Sequence, residues 1–172
     1  MAIDLVIQWE GVGAPSYARR FRTAASINDF SPVLRQIAVL AIAPAIMRNF
    51  EEGGRPKWEP LQQQTIERKM RQGFHSPQRI LVASGAMMDS ATNAANYTIS
   101  PLHIEATPGP RYWIFHQGGI PGRLPQRVMM NLQVGDQRKV GGLFDKFIAD
   151  HLARHGLKVR GVVTNVGTPG DG

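Results

Sequence analysis

Cysteine is missing altogether from this chain of 172 residues. That excludes disulfide staples and thiolate metal sites, and it fits a reducing cytoplasm. Acidic residues are scarce: 13 against 20 lysines and arginines, a formal net charge of +7. Charged side chains of both signs make up only 19% of the chain, below the usual quarter. No apolar run approaches a membrane span: the longest, residues 37–47, is short and holds Pro44. No membrane partner is therefore expected. The opening Met1 to Ile7 has no basic stretch and carries Asp4, so no secretory leader is expected. Phosphate-loop and dinucleotide glycine patterns are lacking, as is a Gly-x-Ser-x-Gly elbow.

What is abundant is punctuation. With 18 glycines and 12 prolines, the composition points to a loop-rich protein. Residues 3–9 are β-branched and aromatic and read as a strand, and residues 16–29 are ambiguous. Ser31-Pro32 marks a helix start, with a capping hydroxyl and proline at the first position. From there Val33, Leu34, Ile37, Leu40, Ala41, Ala45 and Phe50 form one apolar stripe to about Glu52, with a kink expected at Pro44. Arg48 and Asn49 fall largely off that stripe. Gly53-Gly54 offers a left-handed cap. Pro56 to Pro60 forces an extended turn around Trp58, which is either a core anchor or an interface anchor. Residues 61–71 suggest a short polar helix, 80–82 a brief apolar run turned by Ser84-Gly85, and 86–94 one or two helical turns.

Strands are expected at 96–100, 102–107 and 111–116, with a hairpin across Pro108-Gly109-Pro110. Residues 118–127 read as a Pro/Gly loop and 128–132 as a last strand. Val140, Leu143, Phe144, Phe147, Ile148 and Leu152 predict a second amphipathic helix over 140–155, stopped by Gly156. The sum is an α+β fold: a small antiparallel β-sheet packed against a long helix in the N-terminal half and a C-terminal helix. A single domain over 1–160 is expected, with a flexible tail over 161–172.

Candidate chemistry is thin. His151 and His155 have metal-ligand spacing, but neither the glutamate of a metalloprotease helix nor a third ligand accompanies them. His155 reads as a partner for the helix C-terminus. His116 ends an aromatic stretch and could serve as a base. With no evident nucleophile, it reads as a strand-end residue bonded to loop backbone. Ser84 reads as a turn residue, and Gly141-Gly142 as a turn or cap. No catalytic residue, metal or cofactor is expected. The positive charge is either a solvated surface or a face turned toward DNA or an acidic partner.

Three of these pieces, taken in order, resemble a known pattern. The first, after a helix ending in Glu51-Glu52-Gly53, is Gly54, Pro56, Trp58, Pro60 and Leu61, followed by Thr65, Arg68 and Lys69. The second is Ile80-Leu81 with Ser84-Gly85, and Ser90 beyond it. The third is His116-Gln117-Gly118-Gly119, then Ile120, Pro121, Arg123 and Pro125, with one residue fewer after Gln117 and an Arg-Pro pair split by Leu124. Over residues 30–132 the chain resembles the phage virion morphogenesis family, the tail-completion proteins of Mu-like and P2-like tailed bacteriophages. The resemblance implies a non-enzymatic virion subunit made in the host cytoplasm, which acts at the tail/neck in head–tail joining. It implies rings, often hexameric, at the end of the tail tube, and partners among tube and head–tail connector proteins. DNA in the channel would be met non-specifically; a non-sequence-specific DNA-binding module is the alternative. Trp58, His116, Gln117, Pro121, Arg123 and Pro125 are the residues expected to shape the loops and the interface.

Overall fold

The computed structural model describes residues 7–8, 22–23 and 26–159. The strand expected over 3–9 falls inside that set only as β1, Ile7–Gln8, and the C-terminal tail over 161–172 lies outside it.

Helix α1 spans Ser31–Glu52. Its first N–H is held by the carboxylate of Asp29, 2.8 Å from the Ser31 nitrogen. The N-cap position is Phe30, whose side chain makes no capping bond, and the Ser31 hydroxyl does not cap because Ser31 is already the first helical residue. Pro44 does not break the helix. The turn before it, Ala38–Ile42, widens to a π-turn in which the Ala43 N–H reaches the Ala38 carbonyl. The reason is steric: proline has no N–H for the Leu40 carbonyl, and its ring crowds that group. The wide turn also rephases the helix. Val33, Ile37, Ala41, Ala45 and Phe50 are buried as expected, whereas Leu40 stands 46% exposed. Asn49 is the other departure: it is fully buried. Gly53 closes α1 in the left-handed conformation, with φ of 69°.

Helix α2 is Gln63–Arg71 and helix α3 is Ala86–Thr92, followed by a tight turn at Ala94–Asn96. Strands β2 (Thr98–Ser100) and β3 (His103–Glu105) pair antiparallel in the register Ile99↔Ile104. Their hairpin closes at Pro101-Leu102, not across Pro108-Gly109-Pro110. The third expected strand, 111–116, is helical: α4 is Trp113–Gly118. There the β-propensity of Tyr112, Trp113, Ile114 and Phe115 gives way to a turn begun by Pro110, whose carbonyl takes the Trp113 N–H at 3.1 Å. The expected strand at 128–132 is no strand, because side chains satisfy its backbone instead of a neighbouring ladder. Trp58 donates its indole N–H to the Val128 carbonyl. Asn49 donates to the carbonyls of Met129 and Asn131. The Gln117 side-chain oxygen accepts the N–H groups of Met129 and Met130.

Helix α5 runs Val134–Arg154, starting six residues before the expected 140. Gln133 and Asp136 form a reciprocal capping box that starts it early. Gly141 and Gly142 lie inside this helix rather than at a turn. A β-carbon at Gly142 would meet nothing within 4 Å, so Gly142→Ala should raise stability by about 1 kcal/mol, read by urea unfolding. Beyond α5, strand β4 (Lys158–Val159) pairs antiparallel with β1.

The architecture is thus a small antiparallel two-stranded hairpin packed against helices, between the long α1 and the C-terminal α5. Val33, Leu34, Ile37 and Ala41 meet Ile99 and Ile104 of the hairpin and Val140, Leu143, Phe144 and Phe147 of α5. The other half of α1 packs Ile46 and Phe50 against Trp58, Val82, Met87, Ala91, Tyr97 and Met129. By length and composition alone α1 could cross a membrane, but 56% of its most apolar window is buried inside the fold. Ile37 is 1% exposed. Ile37→Asp should unfold the protein, since an unpaired carboxylate would sit in an apolar layer. Gln36→Asp, on the exposed side, should move stability by no more than about 0.5 kcal/mol. Thermal melts followed by circular dichroism separate the two.

Candidate functional site

Three segments far apart in sequence wall one open cleft of about 380 Å³. Glu59 to Gln62 and the inner face of α2 form one side. Leu81 to Met87 form the back. Tyr112, His116, residues 123–125 and Arg127 form the other side. Gly- and Pro-rich pieces singled out in the sequence lie in these segments, and folding brings them together.

Each wall has a local cause. Gly54, with φ of 98°, lets the chain turn under Trp58; a β-carbon there would lie 2.5 Å from the indole Cδ1. Trp58 then packs edge-on to Phe50, ring centroids 5.9 Å apart. Within this chain Trp58 is 7% exposed and packs in the core cluster with Phe50, and it does not line the cleft. The back wall is a turn, not a strand. Leu81 takes a positive φ of 60°, and the Lys69 ammonium ties the turn down by donating to the carbonyls of Arg79 and Val82 at 2.7 and 2.6 Å.

The third wall shapes itself. Ile120 and Leu124 exchange backbone bonds of 2.7 and 2.8 Å, and the Arg127 N–H reaches the His116 carbonyl at 2.7 Å. At Gly119 a β-carbon would lie 2.9 Å from the Gln126 nitrogen, so that wall needs glycine there. His116, Arg123 and Pro125 face the cleft. Pro121 lines an adjoining groove built from residues 118–126 with Glu59 and Gln62. Gln117 does not line the cleft, because its side chain is spent on the backbone of residues 129–130.

His116 corrects its expected role. It lies in α4 rather than at a strand end, and its Nδ1 is buried with no hydrogen-bond partner rather than bonded to loop backbone. Burial, aided by the nearby Arg127 charge, lowers its pKa from the ordinary 6.5. Ser84 lines the same cleft but is exposed, and its hydroxyl accepts the Ala86 N–H at 3.4 Å, as a turn residue does. No carboxylate among the described residues orients the His116 ring as a hydrolytic triad requires. Among the described residues there is no cluster of three or more potential metal ligands.

The burial of two cleft cations was not anticipated from the sequence. Lys69 and Arg127 are 7% and 5% exposed. A signal existed for Lys69: it lies three and four residues after Ile66 and Thr65, on the sparse inward face of α2. Arg127 had none, since its burial follows from a loop that folds back to donate to the Glu59 carbonyl.

Beside the cleft, Tyr112, Ile114 and Phe115 are 49%, 57% and 53% exposed. Tyr112 and Phe115 continue into a shallow apolar surface with Ile120 and Leu124. The fold and site thus define a small α+β protein with a cationic, partly apolar face. Compared with family models, curated proteins and solved structures, the chain matches none.

Proposed function

We propose that this protein is a structural virion subunit of a tailed bacteriophage. It completes the tail and joins it to the head, acting as a self-associated ring at the end of the tail tube. Its partners are copies of itself and proteins of the tube and connector; its place is the tail/neck region, and it catalyses no reaction. The observation that carries this reading is the convergence of the three resembling segments on one face beside the exposed apolar side of α4. A rigid loop next to three exposed large apolar side chains suits a protein–protein contact.

The test is electron microscopy of the purified protein with tail tubes. Rings or capped tube ends are expected, and a protein that ignores tubes would count against the reading. In a phage carrying His116→Ala with Arg123→Ala, particle assembly should fail; intact particles would remove the 118–127 loop from the interface. The alternative, a non-sequence-specific DNA-binding module, draws on exposed arginines 68, 71, 79 and 123. It requires affinity for random duplex DNA that falls steeply with salt.

A further inference from the structure

The cleft holds an electrostatic imbalance that self-association through α4 leaves unexplained. Lys69 and Arg127 are both more than nine-tenths buried, and both line it. Among the described residues neither forms a salt bridge. Their partners are neutral carbonyls: Arg79 and Val82 for Lys69, Glu59 for Arg127. A buried cation without a counter-ion is costly, and carbonyl dipoles offset only part of that cost. Donors remain to spare. An ammonium has three and the lysine carbonyl bonds use two; a guanidinium has five, and the Glu59 bonds engage Nε and one terminal nitrogen. His116 and the exposed Arg68 and Arg123 add to the same lining, where Glu59 is the one carboxylate among the described residues. Burial lowers the pKa of both Lys69 and Arg127; the Arg79 charge adds to this at Lys69, and the Glu59 carboxylate offsets only part of it at Arg127.

The shape selects the kind of anion carrier. Lys69 and Arg127 are sunk in a cleft whose lining also includes Leu61, Leu81 and Met87. A duplex presents phosphates on a broad convex rod and would reach only the rim arginines. A side chain on an extended peptide can enter. We propose that this cleft is a binding site for an acidic segment of a partner protein: one carboxylate enters among Lys69, Arg127 and Arg123, and a neighbouring large apolar side chain packs on that apolar lining. This site adjoins the apolar face of α4, sharing Tyr112, His116, Arg123 and Leu124 with it, but its occupation does not require a ring.

Selection from a displayed library of random peptides against the whole protein tests it. The enriched peptides are then synthesised and their affinities measured for the wild type and for Arg68→Ala/Arg123→Ala. Those two side chains are exposed, and a thermal melt checks that the double variant stays folded. Enriched peptides should carry Asp or Glu beside a large apolar residue. The double variant should bind them about tenfold more weakly or worse, and a 20-base-pair duplex at equal charge should not displace them. Enrichment without acidic residues, no enrichment at all, unchanged affinity in the double variant, or displacement by the duplex would each overturn the assignment. Selection against the whole protein can fail while rings still form on tail tubes, so failure here is distinguishable from failure of the virion reading.

Discussion

Asp136→Ala should lower the unfolding free energy by about 3–5 kcal/mol, as loss of one partner from a buried ion pair does. Asp136 is 5% exposed and serves three groups at once. It accepts from Arg48, from Arg55 at 3.0 Å, and from the Gln133 backbone N–H at 3.1 Å. Arg55 in turn donates to the Asn49 side chain at 2.7 Å and the Ala45 carbonyl at 2.8 Å. Its own carbonyl accepts from Asn131 and Gln133. One carboxylate thus joins the end of α1, the turn that leads to Trp58 and the start of α5. Most of the loss should come through Arg55, whose side chain is 17% exposed, rather than Arg48 at 44%. Urea unfolding at neutral pH measures it.

The pH dependence of that loss has a definite sign. Desolvation pushes the Asp136 pKa up, but the Gln133 N–H and the charges of Arg55 and Arg48 outweigh it and hold it below the ordinary 3.8. The folded state therefore binds this proton less readily than the unfolded state. The contribution is complete above the ordinary carboxylate pKa and is lost as pH falls through the lower folded value. Wild type and Asp136→Asn should differ most near neutrality and converge in acid.

Trp58→Ala should cost about 3–5 kcal/mol, the range for emptying a large buried aromatic site. The indole fills the space over Gly54, meets Phe50 edge-on and satisfies the Val128 carbonyl at 3.1 Å. Trp58→Phe keeps the ring contact but orphans that carbonyl, and should cost about 1–3 kcal/mol. Unfolding in guanidinium, followed by far-UV circular dichroism, ranks the three proteins. If Trp58→Ala lost less than about 1 kcal/mol, the turn would have to be held by the backbone restraint of its glycines and prolines alone.

The helices were legible because their signals are local and periodic. The stripe from Val33 to Phe50, the Gly53 cap and the apolar face around Phe144 each follow from spacing within one element. The sheet was legible only where a two-residue turn sits between β-branched neighbours, at residues 98–105. It misled at 111–116, where a turn begun by Pro110 opens a helix, and at 128–132, where backbone partners come from the side chains of Asn49, Trp58 and Gln117. No local pattern shows that a residue outside the stripe, such as Asn49, will be buried to serve a carbonyl about eighty positions away. The candidate face was half legible. His116, Arg123 and Pro125 stood out by their company of Gly and Pro, and they do line the cleft. The burial of Lys69, Arg127 and Asp136 was not legible, because it is decided by segments they meet only after folding.

Sedimentation velocity over a wide concentration range, run on the wild type and on Ile114→Asp/Phe115→Asp, addresses the proposed assembly surface. The wild type should shift from monomer to a discrete ring-sized species, and the double variant, altered only at exposed side chains of α4, should remain monomeric and folded. A wild-type protein that stays monomeric at every concentration and with tail tubes present, or a double variant that assembles as well as the wild type, would contradict it.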